Sequence, residues 1–356
     1  MQAYATPSAL SGTIVKKTLS PGRFLLVLAS TACLLAAILL ACVTFTDPSR
    51  YLFGSPVPQI RPNVTRKKID LFQQYSAQRK VTGLMMGSSR SALLLPAEID
   101  RATGLRFFNA AVDDPTTDQF LALYRLFRRI QGAPPKMLVI GYETPLLSQN
   151  SPVYPDMAAS YELNAELDPH LIRLWHYVKL YARSLRTQTI LDLHTSVTNW
   201  MSPHPPVSVY FPDGHAEGRN RFGEATNVNR RARLGEGLET LLDRYREFSG
   251  MSQERLARLR SLFEEASADG VRILIWFTPL HPALRAAIDR LPGVPEKERQ
   301  SREAVQALAR EFGGKVLDLS DPDSFDGDPT RWLDAVHVNP VDSRREMARI
   351  MAAVQN

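Results

Sequence analysis

Residues 81–90 read Val-Thr-Gly-Leu-Met-Met-Gly-Ser-Ser-Arg, a short apolar run that leads into a small polar turn. An apolar run of this length is typical of a buried strand, and serine after glycine suits the start of a helix. Further apolar runs lie at 106–108, 136–140, 271–277 and 315–319. Apolar residues recur at helical spacing in 117–129, 256–266, 301–312 and 343–354. This alternation predicts an α/β protein with three layers (α/β/α) and a mostly parallel central sheet of about five strands.

Two polar motifs fall at the same edge of that predicted sheet. Gly87-Ser88-Ser89-Arg90 follows the first strand, and Asp334-Ala335-Val336-His337 lies between the last strand and the final helix. The active crevice of an open parallel sheet lies beyond the carboxyl ends of its strands. A loop can place the Asp334 carboxylate against Nδ1 of His337, which leaves Nε2 to take a proton from Ser89. We therefore predict an acyl-transfer site with Ser89 as nucleophile, His337 as base and Asp334 as its orienting group.

Each motif also has a plainer interpretation. A Gly-Ser-Ser sequence is typical of a turn with a helix cap, and a loop aspartate near a histidine is a common surface pair. Beside the nucleophile, the Ser88 region can offer a backbone N–H to an oxyanion. Arg90 either binds an anionic substrate or pairs with a nearby carboxylate from Asp113, Asp114 or Glu143. His281, just beyond the 271–277 strand, either lines the crevice or caps a loop.

This arrangement resembles the SGNH (GDSL-like) hydrolase superfamily. It resembles more closely the membrane-anchored, envelope-facing branch that includes DltD-type and alginate-acetylation-type proteins. The resemblance covers residues 81–145 and 235–356. It implies that Ser89, third in a Gly-x-Ser triplet, is the nucleophile and that Asp334 and His337 form the Asp-x-x-His block. It also implies that Asn109, in Phe107-Phe108-Asn109-Ala110-Ala111-Val112, lines the site.

The sequence departs from the superfamily at two blocks that supply oxyanion donors. Residues 112–115 read Val-Asp-Asp-Pro where a glycine is expected, and residues 141–144 read Gly-Tyr-Glu-Thr where an asparagine is expected. Losing one oxyanion donor costs ~2.7–4 kcal/mol of transition-state stabilisation. A catalytically inactive SGNH-like scaffold or glycan-binding protein is therefore the alternative to an enzyme.

An uncharged stretch from Phe24 to Thr46 precedes the globular part. Its ~23 residues span the ~30 Å hydrocarbon core of a bilayer as a helix, and it exceeds the usual apolar region of a signal peptide. We predict an uncleaved signal anchor. Lys16, Lys17 and Arg23 favour a cytoplasmic N-terminus, a single-pass protein of the inner membrane and a periplasmic soluble domain. A lipoprotein cleavage site ending at Cys42 is the rival interpretation.

Composition divides the chain as follows: a cytoplasmic tail at 1–23, the transmembrane anchor at 24–46, a proline-rich linker at 47–80, the SGNH-like domain at 81–145 and 231–356, and an insertion at 146–230. The linker is expected to lift the domain off the bilayer. Part of the insertion, from about 169 to 200, is expected to be helical. Its many aromatic residues either shape a substrate groove or form a small core of their own.

Charge and cysteine content exclude several functions. The net charge is only +6, the basic clusters are short and the domain is expected to be exported, so nucleic acid is not an expected partner. Cys33 and Cys42 both lie in the membrane segment, which excludes disulfides, cysteine metal sites and a cysteine nucleophile from the rest of the chain. No metal site and no cofactor are expected, because His194, His204 and His215 lack the spacing of metal ligands.

The sequence thus predicts serine-dependent acyl-ester transfer or hydrolysis, an O-acyltransferase or esterase. The resemblance and the anchor favour a cell-envelope or secreted polysaccharide as acyl acceptor, with a membrane acyl-donor protein as a possible partner. A lipid-directed esterase is a third hypothesis. In the non-catalytic alternative, Trp175, Trp200 and nearby tyrosines would grip a glycan.

Overall fold

A computed structural model describes residues 20–46, 63–150, 155–184, 209–217 and 227–355. Its helices are α1 (Pro21–Thr46), α2 (Val64–Gln78), α3 (Pro96–Thr103), α4 (Thr117–Gln131), α5 (Pro155–Ala159), α6 (Tyr161–Leu167), α7 (Arg173–Ser184), α8 (Asn227–Arg246), α9 (Gln253–Ala268), α10 (Pro282–Ile288), α11 (Val294–Glu311) and α12 (Pro340–Gln355). Its strands are β1 (Gly83–Met86), β2 (Phe107–Asn109), β3 (Met137–Tyr142), β4 (Val209–Tyr210), β5 (Ala216–Glu217), β6 (Arg272–Phe277) and β7 (Lys315–Asp318).

The central sheet has the strand order β2-β1-β3-β6-β7, and every neighbouring pair in it is parallel. Strands β4 and β5 form a separate antiparallel hairpin. The chain leaves β1 toward β2 on one side and then returns to β3 on the other. The switch point, where a crevice opens beyond the strand ends, therefore lies between β1 and β3. The predicted α/β class with a parallel sheet of about five strands is confirmed, and the arrangement is consistent with an SGNH-like fold.

Helices cover both faces of this sheet, which is why its strands are apolar at consecutive positions. One core joins Leu84, Met86, Leu138 and Ile275 to helices α2, α4, α9 and α11. The opposite core joins alternate strand residues, among them Trp276, to α3 and α12. Ser89 and Glu143 follow adjacent strands and so lie on either side of the switch point.

The predicted spacer at 47–80 is wrong for its second half. Residues 64–78 form α2, which is capped by Asn63, whose side chain accepts a hydrogen bond from the Arg66 N–H at 2.8 Å. Ile69 and Phe72 are buried against the sheet. The sequence did not indicate this apolar face, because residues 66–68 are all basic and basic side chains are usually exposed to solvent. Lys68 is instead buried. Residues 47–62 lie outside the described part of the chain.

Other boundaries also differ from the sequence prediction. Helices α3, α8 and α10 were not expected, and α11 begins at Val294 rather than at Ser301. Gly293 precedes α11 with a left-handed φ of 72°, a conformation that glycine adopts without strain. Of the helix expected from 169 to 200, Arg173–Ser184 is helical and residues 185–208 lie outside the description. The proposed domain boundaries otherwise stay a prediction.

Helix α1 is the one helix among the described residues that is long and apolar enough to cross a membrane. The qualifying stretch is Pro21–Cys42, with a mean hydropathy of 2.7 and no part of it buried. Its length and composition fit a single-pass anchor, and they also fit a signal sequence.

Candidate active site

Gly87 makes the turn that carries the predicted nucleophile. Its φ of 156° lies in a region that residues with a side chain rarely adopt, and a Cβ there would overlap the Ser91 hydroxyl. The chain then enters a short 3₁₀ helix at Ser91–Leu93. Ser88 is 3 % exposed, whereas Ser89 is only half-buried. The turn therefore presents the Ser89 side chain and hides that of Ser88.

Three predicted catalytic side chains meet at the carboxyl edge of the sheet. Oγ of Ser89 lies 2.9 Å from Nε2 of His337, and Nδ1 of His337 lies 2.7 Å from Oδ2 of Asp334. Both distances are hydrogen-bond distances. The imidazole can therefore donate to Asp334 and accept from Ser89, which is the polarity that a general base requires.

The Asp334 carboxylate is held in place by its own loop. Oδ1 accepts the backbone N–H groups of Val336 at 2.9 Å and His337 at 2.8 Å, so only Oδ2 faces the imidazole. Burial raises the pKa of Asp334, but the hydrogen bond from His337, the charge of that ring and the two backbone donors outweigh it, and the pKa falls to about 2. The carboxylate is therefore ionised throughout the physiological pH range.

Asp342, at the start of α12, fixes the rest of this loop. Its Oδ2 accepts the Asp328 N–H at 2.9 Å, the Trp332 indole N–H at 3.1 Å and an Asn339 amide N–H at 2.7 Å. Asp342 is 1 % exposed. A buried carboxylate with several donors organises the backbone on both sides of the segment that carries His337.

Ser88 and Arg90 are committed to Glu143 rather than to the crevice. The Ser88 hydroxyl donates to Oε1 of Glu143, and Nη2 of Arg90 pairs with Oε2 at 3.2 Å. Arg90 also donates to the Thr278 hydroxyl at 3.0 Å. Of the two roles left open for Arg90, the structure contains the ion pair with Glu143. The Ser88 hydroxyl and the Arg90 guanidinium therefore both bind Glu143 across the ends of β1 and β3, and a substrate or oxyanion contact by either residue stays a prediction.

Asn109 does not contact the substrate crevice through its amide. Its Nδ2 donates to the carbonyl groups of Ser91 and Leu94, each at 2.9 Å, and its Oδ1 accepts the Ala111 N–H at 3.0 Å. The residue is fully buried. The predicted site role of Asn109 is corrected to a positioning role, since it clamps the segment that follows Ser89.

His281 acts as a cap. Its Nδ1 accepts the Ala283 N–H at 3.1 Å at the start of α10, and its ring meets Trp332 edge-on at a centroid distance of 5.7 Å. Burial lowers the pKa of His281, while a hydrogen bond with the Pro329 backbone and the charge of Asp334 act the other way. The backbone N–H of His281 also donates to the Ala335 carbonyl at 3.1 Å, so the residue braces the His337 loop without entering the site.

Two buried groups near the site were missed. Lys68 is 1 % exposed, and its Nζ donates to the carbonyls of Asn109, at 2.9 Å, and Gly214, which ties the β4–β5 hairpin to the end of β2. Burial lowers the pKa of Lys68 to about 7, against the charges of Asp113 and Asp213. Glu346 accepts the Trp276 indole N–H at 3.0 Å. Glu346 lies on the core-facing side of α12, and this position was visible in the sequence. It was informative because acidic side chains are almost never fully buried unless they are paired.

Within the described ranges, no group of three or more histidine, cysteine or acidic residues could hold a metal ion. His215 pairs with Asp213 at 2.6 Å. His194 and His204 lie outside the described residues.

No protein-family model matches the sequence, and no curated protein matches it. Among the solved structures that are similar to it, three share 10–11% identity with it. A GDSL-like lipase from Bacteroides thetaiotaomicron has 10% identity, with 82% of this chain and 98% of that chain covered and a TM-score of 0.38. A Bacteroides fragilis protein assigned as an acylhydrolase has 11% identity, 80% and 95% coverage and a TM-score of 0.37. A Streptococcus pneumoniae protein named as a platelet activating factor has 10% identity, 83% and 94% coverage and a TM-score of 0.42.

These values are too low to transfer an activity, so the fold assignment rests on the sheet described above. The three descriptions name neither DltD-type nor alginate-acetylation-type proteins. That finer resemblance stays a prediction.

Proposed function

We propose that the protein is a serine-dependent esterase or O-acyltransferase. The observation that carries this proposal is the unbroken line of contacts from Ser89 through His337 to Asp334. Oγ of Ser89 would attack the acyl carbonyl while Nε2 of His337 takes its proton. The protonated imidazole, stabilised by Asp334, would then return the proton to the departing alcohol. The acyl group, now esterified to Ser89, would pass to water or to a sugar hydroxyl by the same steps in reverse.

The oxyanion of the tetrahedral intermediate needs donors, and Ser89 offers one. Its backbone N–H makes no hydrogen bond within the described part of the chain. Asn109 and Glu143 are unsuited, since the amide of Asn109 is engaged and Glu143 carries an acceptor where SGNH-like proteins are expected to have an asparagine. Each missing donor would lower turnover about 100- to 1000-fold. We therefore expect a slow enzyme.

The anchor and the resemblance support a proposal for the substrate class. Helix α1 fits a single-pass anchor, and the sequence resembles envelope-facing acyl-transfer proteins. We propose a cell-envelope or secreted polysaccharide as acceptor, a location on the periplasmic side of the inner membrane, and a membrane protein as acyl donor. An acceptor sugar that raises product formation above hydrolysis would identify a transferase.

Fluorophosphonate labelling tests the proposed chemistry. We expect the full chain to react at Ser89, the label to vanish in Ser89→Ala, and Ser88→Ala to keep it. Ser88→Ala is the matched control, because it removes the neighbouring hydroxyl in the same turn. Both variants must keep the wild-type melting temperature to within a few degrees, which separates loss of the nucleophile from loss of the fold. Equal labelling of Ser89→Ala and wild type would refute the assignment.

A non-catalytic scaffold or glycan-binding protein is the second candidate, and it is favoured by the acidic Glu143 at the end of β3. In that case wild-type protein stays unlabelled at any probe concentration. Its binding to an envelope glycan would survive Ser89→Ala.

A further inference from the structure

Helix α7 exposes an apolar face that nothing in the described structure covers. Among the described residues outside α1, five large hydrophobic side chains are exposed. One is Leu95, and the other four lie in a single stretch and are Ile172, Leu174, Trp175 and Val178. Their exposed fractions run from 45% to 70%. A cluster of this kind on a soluble surface marks an interaction site, whereas single exposed apolar residues do not.

The opposite face of α7 is seated on the protein. His176 is buried and its Nε2 lies 3.0 Å from the Ala159 carbonyl oxygen, while Leu180 packs against Ala159 and Tyr177. The guanidinium of Arg173 lies over the rings of Tyr161 and Tyr177, at 5.3 and 5.8 Å from their centroids. The contacts of the buried face therefore fix α7 on the protein and leave its apolar face exposed to solvent.

The sequence of α7 carries basic residues and no acidic ones. No acidic residue occurs between Asp168 and Asp192, whereas Arg173 and Lys179 lie on α7 and are exposed. A helix with tryptophan and aliphatic residues on one face and basic residues beside it suits the boundary between lipid headgroups and acyl chains. Anionic headgroups would complement Lys179, which lies beside the exposed face, whereas Arg173 is held by the two tyrosine rings.

The proposed membrane anchor α1 would keep this helix near a bilayer. Residues 47–62 connect α1 to the start of the folded domain, and they span at most about 56 Å when fully extended. Because this tether would give the exposed face of α7 a high effective concentration at the bilayer, the face needs little intrinsic affinity for lipid.

We propose that the exposed face of α7 docks on the surface of the bilayer that α1 enters, with Trp175 in the interfacial region and Lys179 on anionic headgroups. The docked helix would be a second membrane contact and would restrict how the domain turns over the lipid. This inference rests on the membrane anchor proposed for α1 and not on the chemistry proposed for Ser89.

Quenching of tryptophan fluorescence by lipid-borne bromine tests the proposal. The full chain is reconstituted in phosphatidylcholine vesicles, with or without phosphatidylglycerol, in which the acyl chains are brominated or unbrominated. Trp276 and Trp332 are 0% and 3% exposed and serve as an internal background. Trp200→Phe isolates Trp175, and Trp175→Phe/Trp200→Phe gives the blank.

We expect brominated anionic vesicles to remove at least about half of the Trp175 emission, as fits a depth of ~5–10 Å. Leu174→Gln/Val178→Gln should cut this quenching at least about threefold, and Lys179→Gln should weaken it only when phosphatidylglycerol is present. Leu95→Gln is the matched control, because it removes an exposed apolar side chain from another surface and should change nothing. Far-ultraviolet circular dichroism verifies that each variant is folded.

The proposal is overturned if brominated lipid quenches the emission of the Trp200→Phe protein no more than it quenches that of the blank. Quenching of Trp175 fluorescence by acrylamide then identifies what covers α7. Quenching would mean that the face is open to solvent, and a loss of quenching when oligosaccharide is added would mean a glycan site. Constant protection would mean that residues 185–208 or a second copy covers the helix.

Discussion

The substitution Asp334→Asn should stop catalysis while keeping the loop in place. In the wild-type protein Oδ1 of Asp334 accepts two backbone N–H groups, and Oδ2 faces Nδ1 of His337. An asparagine has only one oxygen, and the two backbone donors would hold it on their side. Its NH₂ group would then face Nδ1 and force the imidazole to carry its proton on Nε2. Nε2 could no longer accept the proton of Ser89.

The expected magnitudes differ for rate and for stability. An inverted tautomer lowers turnover about 10⁴-fold in triads of this type. The Asp334 pKa of about 2, against an ordinary 3.8, corresponds to ~2 kcal/mol of folding free energy at neutral pH. Because the folded pKa is depressed, this contribution is present above about pH 4 and is lost as the pH falls toward 2. Asp334→Asn should therefore unfold slightly earlier in urea, yet be fully folded in the activity assay.

Hydrolysis of a p-nitrophenyl ester, followed as kcat/KM, measures the effect. Asp328→Asn is the matched control, because it makes the same chemical change in the same loop, where Asp328 caps a 3₁₀ turn and contacts no part of His337. It should keep at least about half of the wild-type rate, since asparagine is an equally good cap. Activity of Asp334→Asn within about tenfold of wild type would refute the tautomer reasoning, as would an equal loss in both variants.

The stabilities of four variants test other parts of the structure. Gly87→Ala should destabilise by at least ~2 kcal/mol through its φ and its clash with Ser91, whereas Ser91→Ala, which deletes a buried hydroxyl without a partner, should cost under ~1 kcal/mol in urea unfolding. Glu143→Ala should cost ~3–5 kcal/mol, because Arg90 would be left buried without its counter-ion; a loss under ~1 kcal/mol would contradict that. Burial raises the pKa of Glu346 from 4.5, its ordinary value, to about 7 in the folded protein. As the pH rises through this range the unfolded chain ionises first, so the free energy of unfolding of the wild type falls. Glu346→Gln should therefore gain ~3 kcal/mol relative to wild type between pH 4.5 and pH 8, and parallel pH curves would contradict it.

The sequence was sufficient for the sheet and for the meeting of Ser89 with His337. Strands covered on both faces are apolar throughout, and the rule that crevices open beyond their carboxyl ends brings distant loops together. A spacing of three positions from Asp334 to His337 then suffices to orient the ring. These inferences use only local pattern and topology.

The roles of Glu143, Asn109 and Lys68 could not be predicted in the same way. Each depends on which backbone or side-chain group lies opposite, and that follows from the packed structure alone. The same asparagine at the end of β2 could face the crevice or clamp the Ser91–Leu93 turn, and only the positions of the Ser91 and Leu94 carbonyls decide between them. Lys68 was hidden in a basic run because burial of a lysine requires carbonyls that come from residues 109 and 214.

A crystal structure of the fluorophosphonate-treated protein tests the central claim most directly. We expect phosphorus bonded to Oγ of Ser89, Nε2 of His337 within ~3 Å of that oxygen or the leaving-group position, and a phosphonyl oxygen facing the Ser89 N–H. An adduct on any other side chain, or a His337 ring more than ~5 Å from the phosphonylated oxygen with no bridging water, would contradict the account.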